Sequence, residues 1–153
     1  IMPGSLFTKG RIGIISRSGT LAYEVAGILS EVGFGQSTVV GMGADPVSLT
    51  TLPDILALFE DDPGTGSVVI VGEVGGSQEE QAAEFIRSRM TKPVAAYIAG
   101  RFAPEGKRMG HAGAIVRGNS GTYAGKCAAL ADVGVRILDT PVNVVGWAKD
   151  LSI

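Results

Sequence analysis

A doubly wound α/β domain built on a parallel sheet is predicted by three observations. Short apolar runs rich in Val and Ile recur along the chain without the clean alternation of a half-exposed strand. Segments with apolar residues at helical spacing lie between them. Glycines, 23 in 153 residues, cluster where the runs end. Runs without alternation suit strands buried on both faces, and strands that take turns with helices build parallel sheets.

The first run, residues 11–16, holds Ile12, Ile14 and Ile15 and is followed by a helical stretch at 21–32. A second strand at 37–41 leads to a helix at 51–60, which Asp61-Asp62-Pro63-Gly64 closes as a helix end and turn. The third strand, 67–72, precedes a helix at 77–89, where Glu79, Glu80 and Glu84 with Arg87 and Arg89 read as one charged, structural face. The fourth strand, 93–98, is separated from the helix at 121–133 by a stretch of about twenty residues, long for a compact α/β connection. A last strand at 134–138 and a helix at 142–149 complete the alternation. Five strands joined this way suggest the flavodoxin-like order 2-1-3-4-5 with helices on both faces. No low-complexity linker or repeat interrupts residues 11–153, which read as one domain, whereas residues 1–10 read as the remnant of an inter-domain linker. Ile1 is not a natural start, so a segment upstream is expected.

Composition narrows the function. A formal net charge of −2 with 18% charged residues offers no basic footprint for nucleic acid and no polybasic face for an anionic membrane. Apolar stretches fall far short of the roughly 20 residues a membrane helix needs, so a soluble chain is expected. The single cysteine, Cys127, excludes an internal disulfide framework and multi-cysteine metal sites, and fits a reducing compartment such as the cytoplasm. It lies in a run of small residues, with no neighbouring cation to lower its pKa, and reads as packing.

Ligands of open parallel sheets bind at the carboxyl ends of the strands, so the loops there define the site. Ser16-Arg17-Ser18-Gly19-Thr20 runs from strand into helix, leaving unpaired amides and small hydroxyls that suit an anion. It is neither a Walker A loop nor Gly-x-Gly-x-x-Gly, and the alternative is a plain Ser or Thr cap with an incidental Arg17. Gly72-Glu73-Val74-Gly75-Gly76 follows the third strand, where Glu73 either caps the next helix or faces a partner across the sheet edge. His111, the sole histidine, sits between Gly110 and Ala112-Gly113 behind Lys107 and Arg108 in the long loop. One histidine is a poor basis for a zinc site, which leaves general base or nucleophile. The order 2-1-3-4-5 brings these three loops to one edge and leaves the loop at 41–46 to one side.

Gly100-x-x-Ala103-x-x-x-x-Arg108-Met109-Gly110-His111-Ala112-Gly113 resembles the active-site signature of the succinyl-CoA synthetase and ATP-citrate lyase superfamily, specifically its α-subunit ligase domain. Ser16-Arg17-Ser18-Gly19-Thr20-Leu21 with Tyr23-Glu24, then Gly33-Phe34-Gly35, Asp45-Pro46 and Gly72-Glu73-Val74-Gly75-Gly76, look like the same family in the same order. The resemblance runs from about Ile1 to the chain's end. It implies that His111 carries a phosphoryl group and that Glu73 orients its ring. It also implies that Ser16, Ser18, Gly19, Thr20 and Gly110 hold the phosphate, Ser18 and Thr20 through their side chains.

The chemistry so implied is that of an ADP- or GDP-forming acid–CoA ligase of the tricarboxylic acid cycle. A nucleoside triphosphate phosphorylates the histidine, the histidine phosphorylates a carboxylic acid, and CoA displaces the phosphate. CoA and Mg-NTP are then substrates of the full enzyme bound mainly outside this chain, with no cofactor or metal expected within it. Expected partners are an ATP-grasp β subunit or domain, a preceding CoA-binding domain, and a small carboxylic acid. The location is cytoplasmic, or the mitochondrial matrix in a eukaryote. Succinate is the default acid, with malate, acetate or citrate as alternatives. Val47-Ser48-Leu49-Thr50-Thr51-Leu52-Pro53 lacks the Gly and polar pattern of succinate-type enzymes, and the stretch from Gly118 onward diverges. Two other functions compete: a noncatalytic binding or assembly domain of this fold, and an FMN or response-regulator module. The latter would need an aspartate after strand three, where Gly72-Glu73 stand.

Overall fold

The computed structural model describes residues 2–45, 47–116, 118 and 120–151. Its elements in chain order are β1 (Lys9–Ser16), α1 (Gly19–Glu31), β2 (Gln36–Gly41), α2 (Leu52–Asp61), β3 (Ser67–Glu73), α3 (Gln78–Arg89), β4 (Val94–Ala99), α4 (Tyr123–Asp132), β5 (Arg136–Leu138) and α5 (Val144–Asp150). Short 3-10 turns at Gly4–Leu6 and Pro141–Asn143 precede β1 and α5. All neighbouring strands run parallel in the order β2-β1-β3-β4-β5, as the alternation of runs and helices predicts.

Side-chain alternation on these strands supplies two cores, because successive residues point to opposite faces. Ile15, Val68, Ile70, Ala96 and Ile98 meet Leu56 of α2, Ala82 of α3 and Leu130 of α4 on one face. Ile12, Ile14, Val69 and Val71 meet Val25 and Leu29 of α1 and Trp147 of α5 on the other. Every residue of β3 is buried, which is why its sequence shows no polar alternation.

Helix ends follow local chemistry. Ser18 caps α1 by accepting a hydrogen bond from the Leu21 amide (3.3 Å), and Thr122 caps α4 through the Gly125 amide (3.0 Å). Thr51 and Asp54 form a capping box on α2, with Pro53 in its first turn. Element limits differ from the sequence reading by at most two residues. The difference that matters is at β3, which extends to Glu73, so this carboxylate stands on the last strand residue instead of in a loop.

Cys127 packs half-buried on α4 beside Tyr123. Burial pushes its thiol above the usual cysteine range, outweighing the hydrogen bond from Tyr123 and the Arg101 charge. Since the thiolate is the reactive form, iodoacetamide near neutral pH should label folded chain more slowly than a free thiol and label it fully only after unfolding. Labelling of the folded chain faster than that of glutathione would mean an activated thiol.

Candidate active site

The sheet register sets the site. Ser16 lies opposite Val71 and Glu73 opposite Ala99, so the loops after β1, β3 and β4 leave the sheet side by side. The loop after β4 folds back over the other two and is held by backbone hydrogen bonds. Gly106 donates to the Val116 carbonyl (3.0 Å), Met109 to Ala114 (3.0 Å) and Ala114 to His111 (3.2 Å). Ala114 and Val116 are its buried anchors.

This fold places the His111 ring against Glu73, with Nδ1 2.6 Å from Oε2. A carboxylate only accepts, so Nδ1 carries the hydrogen and donates it, and in the neutral ring Nε2 keeps the lone pair. The imidazole is 41% exposed whereas the Glu73 side chain is 8% exposed, so the acid is fixed inside and the ring faces outward.

Glu73 is held from below by Arg17. Its Oε1 lies 3.3 Å from Arg17 Nη2 but receives no directed N–H, so the attraction there is coulombic. Arg17 Nη1 is within donating reach of the Glu73 carbonyl (3.2 Å), the Gly75 carbonyl (3.0 Å) and both Glu79 oxygens (3.0 and 3.3 Å). Glu79 Oε1 also accepts from the Glu73 amide (3.1 Å). Behind it, Lys126 Nζ pairs with Glu79 Oε2 and lies 3.3 Å from Glu80 Oε2. A chain of alternating charge, Lys126, Glu79, Arg17 and Glu73, thus ends on His111.

The loop after β1 divides its roles. Ser16 is fully buried; its hydroxyl donates to the Ser18 carbonyl (2.6 Å) and accepts from the Ser18 amide (3.0 Å), which shapes the turn. Ser18, Gly19 and Thr20 form the start of α1, with Gly19 and Thr20 exposed. The first amides of a helix have no partner within it and carry the positive end of its dipole. Gly110, at φ +85°, gives the histidine loop its turn before the ring. The structure therefore brings Glu73 and His111 into direct contact and ties the Ser16 loop to them through Arg17. Ser18, Gly19, Thr20 and Gly110 make no hydrogen bond to the ring among the described residues.

Two expectations need correcting. The loop after β2 does not stand aside: the Ala44 carbonyl accepts from the Gly113 amide (3.0 Å), and Asp45 joins Arg17, Ser77, Gln78, Ala112 and Gly113 around a cleft of about 460 Å³. Pro46 lies outside the described residues. Glu79 does not belong to a charged outer face either. It is completely buried and shares a stripe with Ala82, Ala83 and Ile86, the i, i+3, i+4, i+7 pattern of a core-facing side chain. Sequence reasoning also passed over Lys126, which is fully buried one turn before Leu130 on the inner side of α4. Helical phase was the signal available for both.

Among the described residues no group of three or more His, Cys, Asp or Glu side chains is disposed to hold a metal ion, and no helix is long and apolar enough to cross a membrane.

Known proteins resemble this chain in sequence and in fold. The family described as CoA-ligase matches residues 15–136. The α subunit 1 of ADP-forming succinate–CoA ligase from Archaeoglobus fulgidus is 54% identical over 145 residues, which are 95% of this chain and 50% of that protein. The ADP-forming α subunit from Methanothermobacter thermautotrophicus is 56% identical over 145 residues, 95% of this chain and 49% of that protein. The chain spans about half the length of the curated relatives it matches. Among solved structures, a Methanosaeta concilii ATP citrate lyase variant in complex with (3S)-citryl-CoA has a TM-score of 0.87 at 24% identity, over 95% of this chain and 25% of that one, a likeness of fold. The family match runs past Gly118, where the sequence alone suggested divergence, to residue 136.

Proposed function

The chain belongs to the CoA-ligase family, and from that membership we propose that it is the phosphohistidine-carrying part of an acid–CoA ligase that forms a nucleoside diphosphate. The observation that carries the reading is the 2.6 Å contact between His111 Nδ1 and Glu73, which leaves Nε2 free on an outward-facing ring. The names of the relatives, ADP-forming succinate–CoA ligase α subunits, support succinate as the acid and ADP as the product nucleotide. Because those relatives are about twice as long, a CoA-binding domain and an ATP-grasp partner are proposed to complete the enzyme, with residues 11–153 as its ligase domain and CoA and Mg-NTP bound mainly on those other parts.

The proposed reaction uses the pair as follows. His111 Nε2 attacks the γ-phosphorus of the triphosphate; the N–P bond forms, the P–O bond to the β-phosphate breaks, and the diphosphate leaves with that electron pair. The ring, having donated its pair, acquires positive charge that Nδ1–H shares with the Glu73 carboxylate, so Glu73 stabilises the charged ring without itself taking the proton. The first amides of α1, at Gly19 and Thr20, with the Ser18 and Thr20 hydroxyls and the Gly110 turn, supply donors and a positive dipole end for the phosphoryl oxygens. Ser16 serves by fixing that turn from beneath. In the second half a substrate carboxylate oxygen attacks the phosphorus, the N–P bond breaks and the pair returns to Nε2. The CoA thiolate then attacks the acyl carbon; the C–S bond forms, the C–O bond to the phosphate oxygen breaks, and inorganic phosphate leaves with that electron pair.

Two outcomes test this. Incubation with the nucleotide-binding partner, Mg²⁺ and γ-labelled triphosphate should give a phosphoprotein that is labile in acid and stable in alkali, as expected of a phosphoramidate and not of an aspartyl phosphate. Glu73→Gln should slow the labelling by about 10²- to 10⁴-fold, the range spanned by positioned proton-holding groups, with the fold retained. An unlabelled but folded complex would leave a binding or assembly domain. Labelling at the parent rate in Glu73→Gln would remove Glu73 from the mechanism.

A further inference from the structure

We infer that Lys126 is a positioning residue for His111, acting through Glu79 and Arg17 to keep the charge of Glu73 balanced so that the ring stays uncharged at Nε2 while its Nδ1–H is held. The inference rests on the reading of His111 as the phosphoryl carrier. The site holds a conflict. A carboxylate touching an imidazole favours the protonated, cationic ring, and a cationic ring has no lone pair to attack phosphorus. Glu73 therefore orients the nucleophile and at the same time works against it, unless its own charge is offset.

Arg17, 3.3 Å from Glu73 Oε1, is the offsetting cation, yet its Nη1 is directed chiefly to Glu79 and to backbone carbonyls. With Glu79 as a second buried carboxylate, Arg17 alone would face two negative charges. Lys126, fully buried, supplies the second positive charge and binds Glu79 from the side away from Arg17's contact, on Oε2 where Arg17 is nearer Oε1. Buried ion pairs contribute little net stability compared with apolar side chains of similar volume, and removing one partner is strongly unfavourable. Four buried charges in series beneath one exposed ring are therefore poorly explained by stability, and well explained by the setting of that ring's charge. The groups facing the chain are Glu73 on β3, Glu79 and Glu80 on α3, Arg17 after β1 and Lys126 on α4, with Asp45 beside Arg17 in the cleft and Lys107 and Arg108 exposed on the histidine's own loop.

The signs of the effects separate this role from a structural one. Loss of the Lys126 charge leaves the network more negative and favours the cationic ring. Loss of the Glu79 charge frees Arg17 for Glu73 and disfavours it. Because His111 is the only histidine in the sequence, its ring signals in ¹⁵N- and ¹³C-resolved NMR are unambiguous, and a pH titration of this chain needs neither nucleotide nor partner. Relative to the parent, the midpoint of the His111 titration should move to higher pH in Lys126→Met and to lower pH in Glu79→Gln, each by about half a unit or more, the scale of one charge acting across a buried network. The double variant Lys126→Met/Glu79→Gln should return toward the parent, and Lys126→Arg should match it. If Lys126→Met does not fold, Glu79→Gln and the double variant decide, since neither leaves Glu79 charged without its lysine. Unchanged midpoints, or shifts of the same sign in both single variants, would overturn the inference and leave Lys126 a packing residue. Variants that show the expected shifts, beside a parent chain that accepts no phosphoryl group, would overturn the functional reading instead, so the two failures are distinguishable.

Discussion

His111→Asn is expected to abolish phosphoryl transfer while leaving the fold in place. In the proposed relay the phosphoryl group has no other carrier, so ligation by the assembled enzyme should fall on the order of 10⁴-fold or more, as when a covalent nucleophile is removed. The substitution removes no core side chain. The ring is 41% exposed, and the loop around it is secured by backbone hydrogen bonds and by the buried Ala114 and Val116, so the unfolding free energy should change by less than about 1 kcal/mol. Steady-state ligation and thermal unfolding of the same preparation check both halves. Ligation within tenfold of the parent would exclude a phosphohistidine route.

Gly75→Ala should have the largest effect on stability and a second route to inactivity. Gly75 has φ +89°, and a Cβ there would lie 2.1 Å from the Gly113 carbonyl oxygen and 2.6 Å from the Ile115 amide nitrogen. Both contacts are with backbone, which cannot rotate away as a side chain would. The histidine loop would have to lift from β3, taking with it the Gly75 amide bond to the Gly121 carbonyl (2.8 Å). Left-handed backbone strain and overpacking each cost about 1–3 kcal/mol, so a loss of about 3 kcal/mol or more is expected, roughly 6–12 °C in melting temperature. Displacing the ring from Glu73 by an ångström should slow labelling about 100-fold. Gly106→Ala is the comparison: its φ is +73° but nothing lies within 4 Å of the added carbon, so only the backbone cost of about 1–2 kcal/mol applies. Equal effects of the two substitutions would show that close packing of the loops is not what holds the ring in place.

The fold was legible because its signals are local. Unbroken apolar runs at 67–72 and 93–98 announce strands buried on both faces, and β3 and β4 are found there. Gly-rich strand ends announce the site edge, and the direct pairing of Glu73 with His111, 38 positions apart, agrees with loops brought together by the strand order. What lay beneath that edge was harder to read. Arg17 looks like an incidental residue in a capping loop, yet its side chain is drawn in by Glu73, Glu79 and two backbone carbonyls that no local pattern reveals. The charge of Glu79 suggests an outer face, whereas its phase with Ala82, Ala83 and Ile86 places it inside. Charge predicts exposure only where no partner is available inside, and here the partners come from the loop after β1 and from α4. The approach of Ala44 to Gly113 needs a glycine, since a Cβ at 113 would lie 2.6 Å from the Ala44 carbonyl oxygen, but a glycine alone does not say which backbone comes close.

The phosphohistidine relay is tested most directly by the position of the phosphoryl group on the labelled chain. After reaction with Mg-triphosphate and the nucleotide-binding partner, the chain is kept in alkali and studied by ³¹P and ¹⁵N NMR, with intact mass to count phosphoryl groups. One phosphoryl group is expected, on Nε2 of His111, because Glu73 occupies Nδ1 at 2.6 Å. Phosphorus on Nδ1, on another side chain, or on no residue of a folded and partnered chain would contradict it.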